Sequence, residues 1–256
     1  MKNIFVITTT LLITLSCSNS GTSEEEWISI FNGEDLNGWT IKMSGFNPDE
    51  NHNNTFRVED GIMKVSYDLY ESFDGEFGHI FYNTKLYKYK LRLKYRFTGD
   101  QVPGGPGWAF RNSGVMLHCQ EPFTMEIDQD FPVSIEAQFL GGDGTTERTT
   151  LNLCTPGTNV VMDDALVTQH CINSKSLTFH GDQWVSAELV VYGDSLIHHI
   201  VNGDTVITYQ SPQIGGNNLP VNYPLPVGTL LEGGYISLQA ESHPVEFKDI
   251  ELLLIK

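Results

Sequence analysis

The chain has 256 residues, and 32 acidic against 15 basic side chains leave a formal charge of −17 with histidine neutral. Such a deficit of cations excludes electrostatic binding to nucleic acid or to an anionic membrane, both of which need clustered Lys and Arg. Hydrophobic residues make up 40% and charged residues only 18%, so the acidity comes from scarce bases in a globular composition, not from a disordered acidic tract.

Met1-Lys2-Asn3 precedes an apolar run over 4–15, too short for a permanent membrane span but suited to a signal-peptide core. Ile13-Thr14-Leu15-Ser16-Cys17 has the form of a lipobox, with Thr14 where Leu is commoner. The expectation is a lipoprotein signal peptide over 1–16, a lipid anchor on Cys17, an acidic flexible tether over 17–26 and a single domain over 27–256. An ordinary secretory peptide with an incidental cysteine is the alternative. Either route leads to export, and the lipobox places the protein in a bacterial cell envelope. In that oxidising compartment Cys154 and Cys171, flanking a Gly/Asn/Asp-containing loop, are expected to pair, which leaves Cys119 without a partner. No CxxC or HExxH spacing points to structural zinc.

The interior is dominated by a period of two. Leu91, Leu93, Tyr95 and Phe97 alternate with Lys90, Arg92, Lys94 and Arg96, the pattern of a half-buried antiparallel strand. Further strands are expected over 115–117, 133–139, 184–192, 197–201, 205–209, 235–239 and 245–254. Asn202-Gly203 and Asp60-Gly61 are hairpin turns, because a type I′ turn needs two residues that accept positive φ. No stretch keeps helical periodicity for three turns, so the expected architecture is all-β, a sandwich of two antiparallel sheets. The Gly/Pro-rich stretches 103–107 and 215–228 read as surface loops bordering a binding face; neither leads into a Lys-Ser/Thr pair or a helix, as a phosphate loop would.

Three segments put unusual chemistry on one parity. Asn112, Gly114, Met116 and His118 share a face, as do Ser134, Glu136 and Gln138, and Gln239, Glu241 and His243. If Val115, Leu117, Ile135, Ala137, Phe139, Ile236 and Leu238 face the core, two carboxylates, two imidazoles, two amides and Arg111 gather opposite. A merely solvated face would carry Lys, Thr and Ser instead. A competing cluster, Glu126-Ile127-Asp128-Gln129-Asp130, is similar to the acid-rich strand of laminarinase-type retaining glycosidases, which need two carboxyls about 5–5.5 Å apart. Phe131-Pro132 follows at once, which favours a loop or an edge.

The motif Phe31-Asn32-Gly33-Glu34-Asp35-Leu36-Asn37-Gly38-Trp39 resembles the opening of the 3-keto-disaccharide hydrolase domain family. The resemblance continues through Phe56 to Gly61, Arg111-Asn112-Ser113-Gly114, Ile135-Glu136-Ala137-Gln138, Gly181-Asp182-Gln183-Trp184, and Gly234 onward to Ile250, with Lys248 where the family more often has Arg. It implies a concanavalin A-like jelly roll that acts on sugars oxidised at C3. A C3 ketone acidifies the C2 proton; its removal gives an enolate that can expel the C1 aglycone, and water can then add to the enone. That chemistry asks for a base at C2–H, donors or a divalent metal for the enolate oxygen, and an acid for the leaving oxygen.

On this reading Glu136 and His243 are candidates for base or metal ligand and His118 for ligand or acid. Arg111 and Gln138 would contact carbonyl and hydroxyl groups, Gln239 and Glu241 would position, and Trp108 would stack on a sugar face. Arg111 pairing with Glu136, and His243 capping a loop, are the plainer alternatives. His79 is a further candidate ligand, while His170, His180, His198 and His199 read as surface or hairpin residues. The expected partner is a carbohydrate, a 3-keto-glycoside. A non-catalytic carbohydrate-binding sandwich and a laminarinase-type hydrolase are the competing functions.

Overall fold

The computed structural model describes residues 26–256, so the leader, Cys17 and nearly all of the tether lie outside the described residues. Ten strands form one sheet in the spatial order β11 (Ala165–Val167), β10 (Thr158–Met162), β15 (Asp204–Ile214), β14 (Ile197–Val201), β13 (Val185–Tyr192), β6 (Lys88–Phe97), β17 (Val245–Leu254), β4 (Ile62–Val65) and β3 (Phe56–Glu59), with β1 (Ile28–Ser29) paired to β17. Seven form the second sheet: β12 (Cys171–Ile172), β9 (Asn152–Cys154), β8 (Ile135–Leu140), β7 (Asn112–Cys119), β16 (Gly234–Ala240), β5 (Gly78–Leu86) and β2 (Trp39–Met43). Neighbouring strands run antiparallel.

Alternation builds the core as expected. In β6 the side chains of Tyr89, Leu91, Leu93, Tyr95 and Phe97 are buried between the sheets, and the intervening bases face outward. Tyr95 stacks on Phe139 of the opposite sheet, with centroids 4.0 Å apart and planes 3° from parallel. Each such fully buried aromatic stabilises the sandwich by roughly 1.5–3 kcal/mol relative to exposure. Both hairpin turns form: φ is 48° and 95° at Asn202 and Gly203, and 54° and 76° at Asp60 and Gly61. The nine-residue β5 was not among the expected strands. Its run His79-Ile80-Phe81 is covered on both faces, which removes the polar alternation that would mark it.

One irregularity decides which side chains reach the outer face of the seven-stranded sheet. Ser237 pairs with Met116, but Tyr235 pairs with Cys119, so β7 carries one extra residue there, and His118 sits at φ 51°. Such a bulge reverses the facing of every residue beyond it. Cys119 therefore joins Met116 and Phe81 on the outer face, and His118 turns away from it.

Candidate functional site

The register of the seven-stranded sheet sets a single cross-strand row on its outer face. Lys42 stands opposite His79, His79 opposite Gln239, Gly114 opposite Gln138, and Gln138 opposite Asn152; the Leu238–Val115 pair brings Gln239 beside Gly114. In the next row Glu136 lies between Met116 and Cys154. A Cβ at Gly114 would lie 2.9 Å from Glu136 Oε1, so the absent side chain is what lets the Glu136 carboxyl extend toward Gln239. Glu241, just past the end of β16, accepts a hydrogen bond on Oε1 from Gln239 Nε2 at 2.9 Å.

These groups are buried and short of donors. Asn112 Oδ1, Glu136 Oε1, Gln239 Oε1 and Glu241 Oε2 are all inaccessible and accept no hydrogen bond from the protein. Desolvation pushes the Glu136 carboxyl up to about 8. Glu241 is raised well above the carboxylate range, first by burial and then by the charge of Glu136, with Arg148 opposing the rise. Burial thus favours the neutral form of both carboxyls, and that of Glu241 more strongly than that of Glu136. Asn152 Nδ2 donates to Gln138 Oε1 at 3.2 Å, which leaves the Gln138 amide nitrogen as its free end.

A cavity of about 390 Å³ opens over Glu136, Gln138, Asn112 and Glu241, with Trp108 and Phe131 on its walls. The Cys154–Cys171 disulfide forms, as expected, and is itself part of the wall, together with His170. Trp108 is half exposed at the rim and stacks on Phe77 with centroids 5.7 Å apart. A larger groove of about 800 Å³ crosses the outer face of the ten-stranded sheet. Its charges are already matched, Arg92 to Glu251 at 2.7 Å and Lys94 to Asp249 at 2.9 Å, and no buried polar atom there lacks a partner. The smaller cavity is therefore the candidate site.

Glu136, Gln138, Gln239, Glu241 and Trp108 thus come together, and three other expected site residues do not. The bulge in β7 carries His118 out of the site, where Nε2 lies 3.1 Å from the carbonyl oxygen of Gly193. His243 follows Ser242, whose φ of 80° turns the chain, and sits edge-on between Phe97 and Phe110 at 5.7 and 5.2 Å. Burial, with Arg111 next in weight, brings its pKa down to about 4. Arg111 neither enters the cavity nor pairs with Glu136; it donates to the carbonyl of Gly181 at 2.8 Å and to Asp182 Oδ1 at 3.0 Å. Among the described residues no three His, Cys, Asp or Glu side chains form a metal-binding group, so the donor set His118, Glu136 and His243 does not fit a divalent ion.

Other histidines and acids need correcting too. His170 lines the cavity, and His199 is a core residue bonded to Tyr209 Oη at 2.8 Å and to the Leu151 carbonyl at 3.0 Å. The acids Glu126 and Asp128 lie on exposed turns outside any strand, which removes the laminarinase-like arrangement. Sequence reasoning also missed Arg148. Its guanidinium donates to the carbonyls of Phe110, Gly141 and Trp108 and so fixes the loop that carries Trp108. It stands in a loop with no period to mark it.

The model of the 3-keto-alpha-glucoside-1,2-lyase-like domain matches residues 26–253. No curated protein sequence matches the chain. Among solved structures, two proteins described as candidate glycosyl hydrolases from Parabacteroides distasonis are similar. One is 17% identical with a TM-score of 0.55, covering 91% of this chain and 95% of that one. The other is 16% identical with a TM-score of 0.53, covering 90% and 100%. A Bacillus subtilis protein of unknown function with a galectin-like fold aligns at 10% identity and a TM-score of 0.51, covering 85% and 90%. Identities this low speak for the fold alone, a galectin- and concanavalin A-like jelly-roll sandwich.

Proposed function

Since the chain belongs to the 3-keto-alpha-glucoside-1,2-lyase-like family, and since a donor-poor cavity in it holds two carboxyls of unequal acidity, we propose that it cleaves 3-keto-glycosides by β-elimination. The observation that carries this reading is the buried Glu136–Glu241 pair. Glu136, basic for a carboxylate, takes the C2 proton, and the C–H electron pair becomes the C2=C3 bond of an enolate with its charge on O3. The enolate then collapses to a C1=C2 double bond and expels the aglycone oxygen, which takes the proton held by Glu241. Water adding at C1 would complete a hydrolysis.

The neutral, hydroxyl-rich substrate suits a cavity short of donors, since a sugar hydroxyl seated against Asn112 can donate to its Oδ1. The free Gln138 amide nitrogen can donate in return. Trp108 at the rim offers a face for a sugar ring or an aglycone. A divalent metal, expected for the enolate, finds no fitting His/Glu/His cradle here, and no step above uses one. The proposed setting is the cell envelope, with Cys17 as the lipid anchor.

The test is to incubate the protein with aryl 3-keto-glucosides of both anomers and follow the release of aglycone. Glu136→Gln should abolish it while the variant stays folded. Binding of unoxidised glycans with no turnover of any keto-glycoside would instead favour a carbohydrate-binding module.

A further inference from the structure

His79 is fully buried on the site-bearing face, between Lys42 and Gln239 in the cross-strand row, and neither of its ring nitrogens has a hydrogen-bond partner. A buried imidazole with both nitrogens unpartnered is unusual; His243 shares that state but is closed in between Phe97 and Phe110, whereas His79 stands on the face that bears the cavity. The aromatic ring of Phe131 stands between it and the cavity. Phe131 lines the cavity on one side and meets the His79 ring edge-on at 5.9 Å on the other. Phe131 also packs on Phe77 at 5.2 Å. The backbone beneath is pinned, because Lys42 Nζ donates to the carbonyl of Ile127 at 2.9 Å and Ser44 Oγ donates to Asp130 Oδ1 at 2.8 Å. Opening therefore needs only rotation of the Phe131 side chain.

The row also has an electrostatic direction. The Lys42 ammonium stands at one end, while Glu136 and Glu241 flank the Gln239–Gly114 stretch on either side. His79 and Gly114 flank Gln239, so about 9–10 Å separates their backbones at the usual strand spacing. That span holds one pyranose ring with C2–H toward Glu136 and O3 toward His79. Burial, reinforced by Lys42, holds the His79 pKa down at about 3, so the ring is neutral and offers one N–H.

We propose that Phe131 is a side-chain gate and that the His79 imidazole behind it, backed by Lys42, receives the C3 carbonyl oxygen of the keto sugar and donates a hydrogen bond to the enolate oxygen. This rests on the elimination reading above. The proton stays on the imidazole throughout; only the charge on O3 changes, and a fixed neutral donor aimed at that oxygen lowers the barrier to forming the enolate.

The experiment uses 1,5-anhydro-3-keto-glucitol, which has no C1 leaving group, beside 1,5-anhydroglucitol. Calorimetry on wild type should show a roughly three- to tenfold preference for the ketone, the worth of one hydrogen bond. His79→Leu should lose that preference and His79→Gln, which keeps an N–H, should retain part of it. The 15N resonance of the protonated His79 nitrogen should move when the ketone saturates wild type and stay put with the alcohol. An unchanged preference in folded His79→Leu, or an unmoved resonance, overturns the assignment.

Should His79→Leu fail to fold, Phe131→Ala decides. Carbethoxylation of His79 should become about tenfold faster in Phe131→Ala and be blocked by the ketone; an unchanged rate without protection overturns the gate. Turnover of 3-keto-glucosides by wild type with His79 silent in these measurements removes the His79 role and leaves the elimination intact. Absence of turnover on either anomer removes the elimination, and the His79 role falls with it.

Discussion

Replacing Glu136 by Gln tests the buried carboxyl pair without any substrate. Glu136 has a folded-state pKa of about 8 against 4.5 in a solvated chain, so the native protein binds a proton that the unfolded chain releases. The stability this proton contributes is fully present below 4.5 and is lost as pH rises through 8. The buried histidines act in the opposite sense. His79, held at about 3, and His118, His199 and His243, held at about 4, cost stability as the unfolded chain takes up protons around its ordinary 6.5. Between pH 6.5 and 8 these histidines still lose protons in the unfolded chain, by the same amount in wild type and in Glu136→Gln, so the carboxyl is read from the difference between the two proteins. Integrating the linkage over that window gives a loss of about 1.5 kcal/mol from Glu136 alone, or some 3–6 °C in Tm for a domain of this size. Thermal and urea melts of wild type and Glu136→Gln at pH 6.5 and 8.0 measure it. From pH 6.5 to 8.0 the stability of wild type should fall relative to that of the variant by about that amount. Equal slopes in the two proteins would mean that Glu136 is ionised in the folded state at pH 6.5, and the description of Glu136 as a carboxyl held neutral by burial would have to be abandoned.

The same pair sets the kinetics: kcat/KM on a 3-keto-glucoside should rise about tenfold per pH unit toward a plateau near pH 8 as Glu136 ionises, with Glu136→Gln and Glu241→Gln each costing about 10²–10⁴-fold, and a flat profile would remove Glu136 as base. His118→Gln should keep turnover within about twofold of wild type despite a stability cost of about 1 kcal/mol, because its contact is to Gly193 and not to the cavity; a large kinetic loss would contradict that placement. Arg148→Met should destabilise by about 3 kcal/mol in urea melts and raise KM more than it lowers kcat, since the loop of Trp108 loses its anchor. Cys17→Ala should abolish incorporation of a labelled fatty acid and move the protein from the membrane to the soluble fraction, whereas continued labelling would rule out Cys17 as the anchor.

How much of this was legible in the sequence depended on where a local rule met a break. β6 and β8 could be read residue by residue because each buries one face, so the alternation that placed Glu136 and Gln138 opposite Ile135 and Ala137 held in the structure. The same rule extended along β7 put His118 in the site, and it failed at one inserted residue whose only local trace is a histidine in a left-handed conformation. It failed again past the end of β16, where Glu241 keeps the parity of Gln239 but the turn at Ser242 sends His243 between two phenylalanines. His79 was underweighted for the complementary reason. A strand covered on both faces has no polar side to contrast with its apolar one, so a buried histidine in it looks like its neighbours until the sheet order sets it beside Gln239. Phe131 reaches the cavity from a loop and Arg148 anchors the Trp108 loop from another, and the placement of such loops depends on long-range contacts and carries no period. In this fold the sheet supplies the proposed base and the loops supply the enclosure that raises its pKa. A family resemblance on strand motifs therefore locates the chemistry more securely than it fixes which aglycone the loops admit.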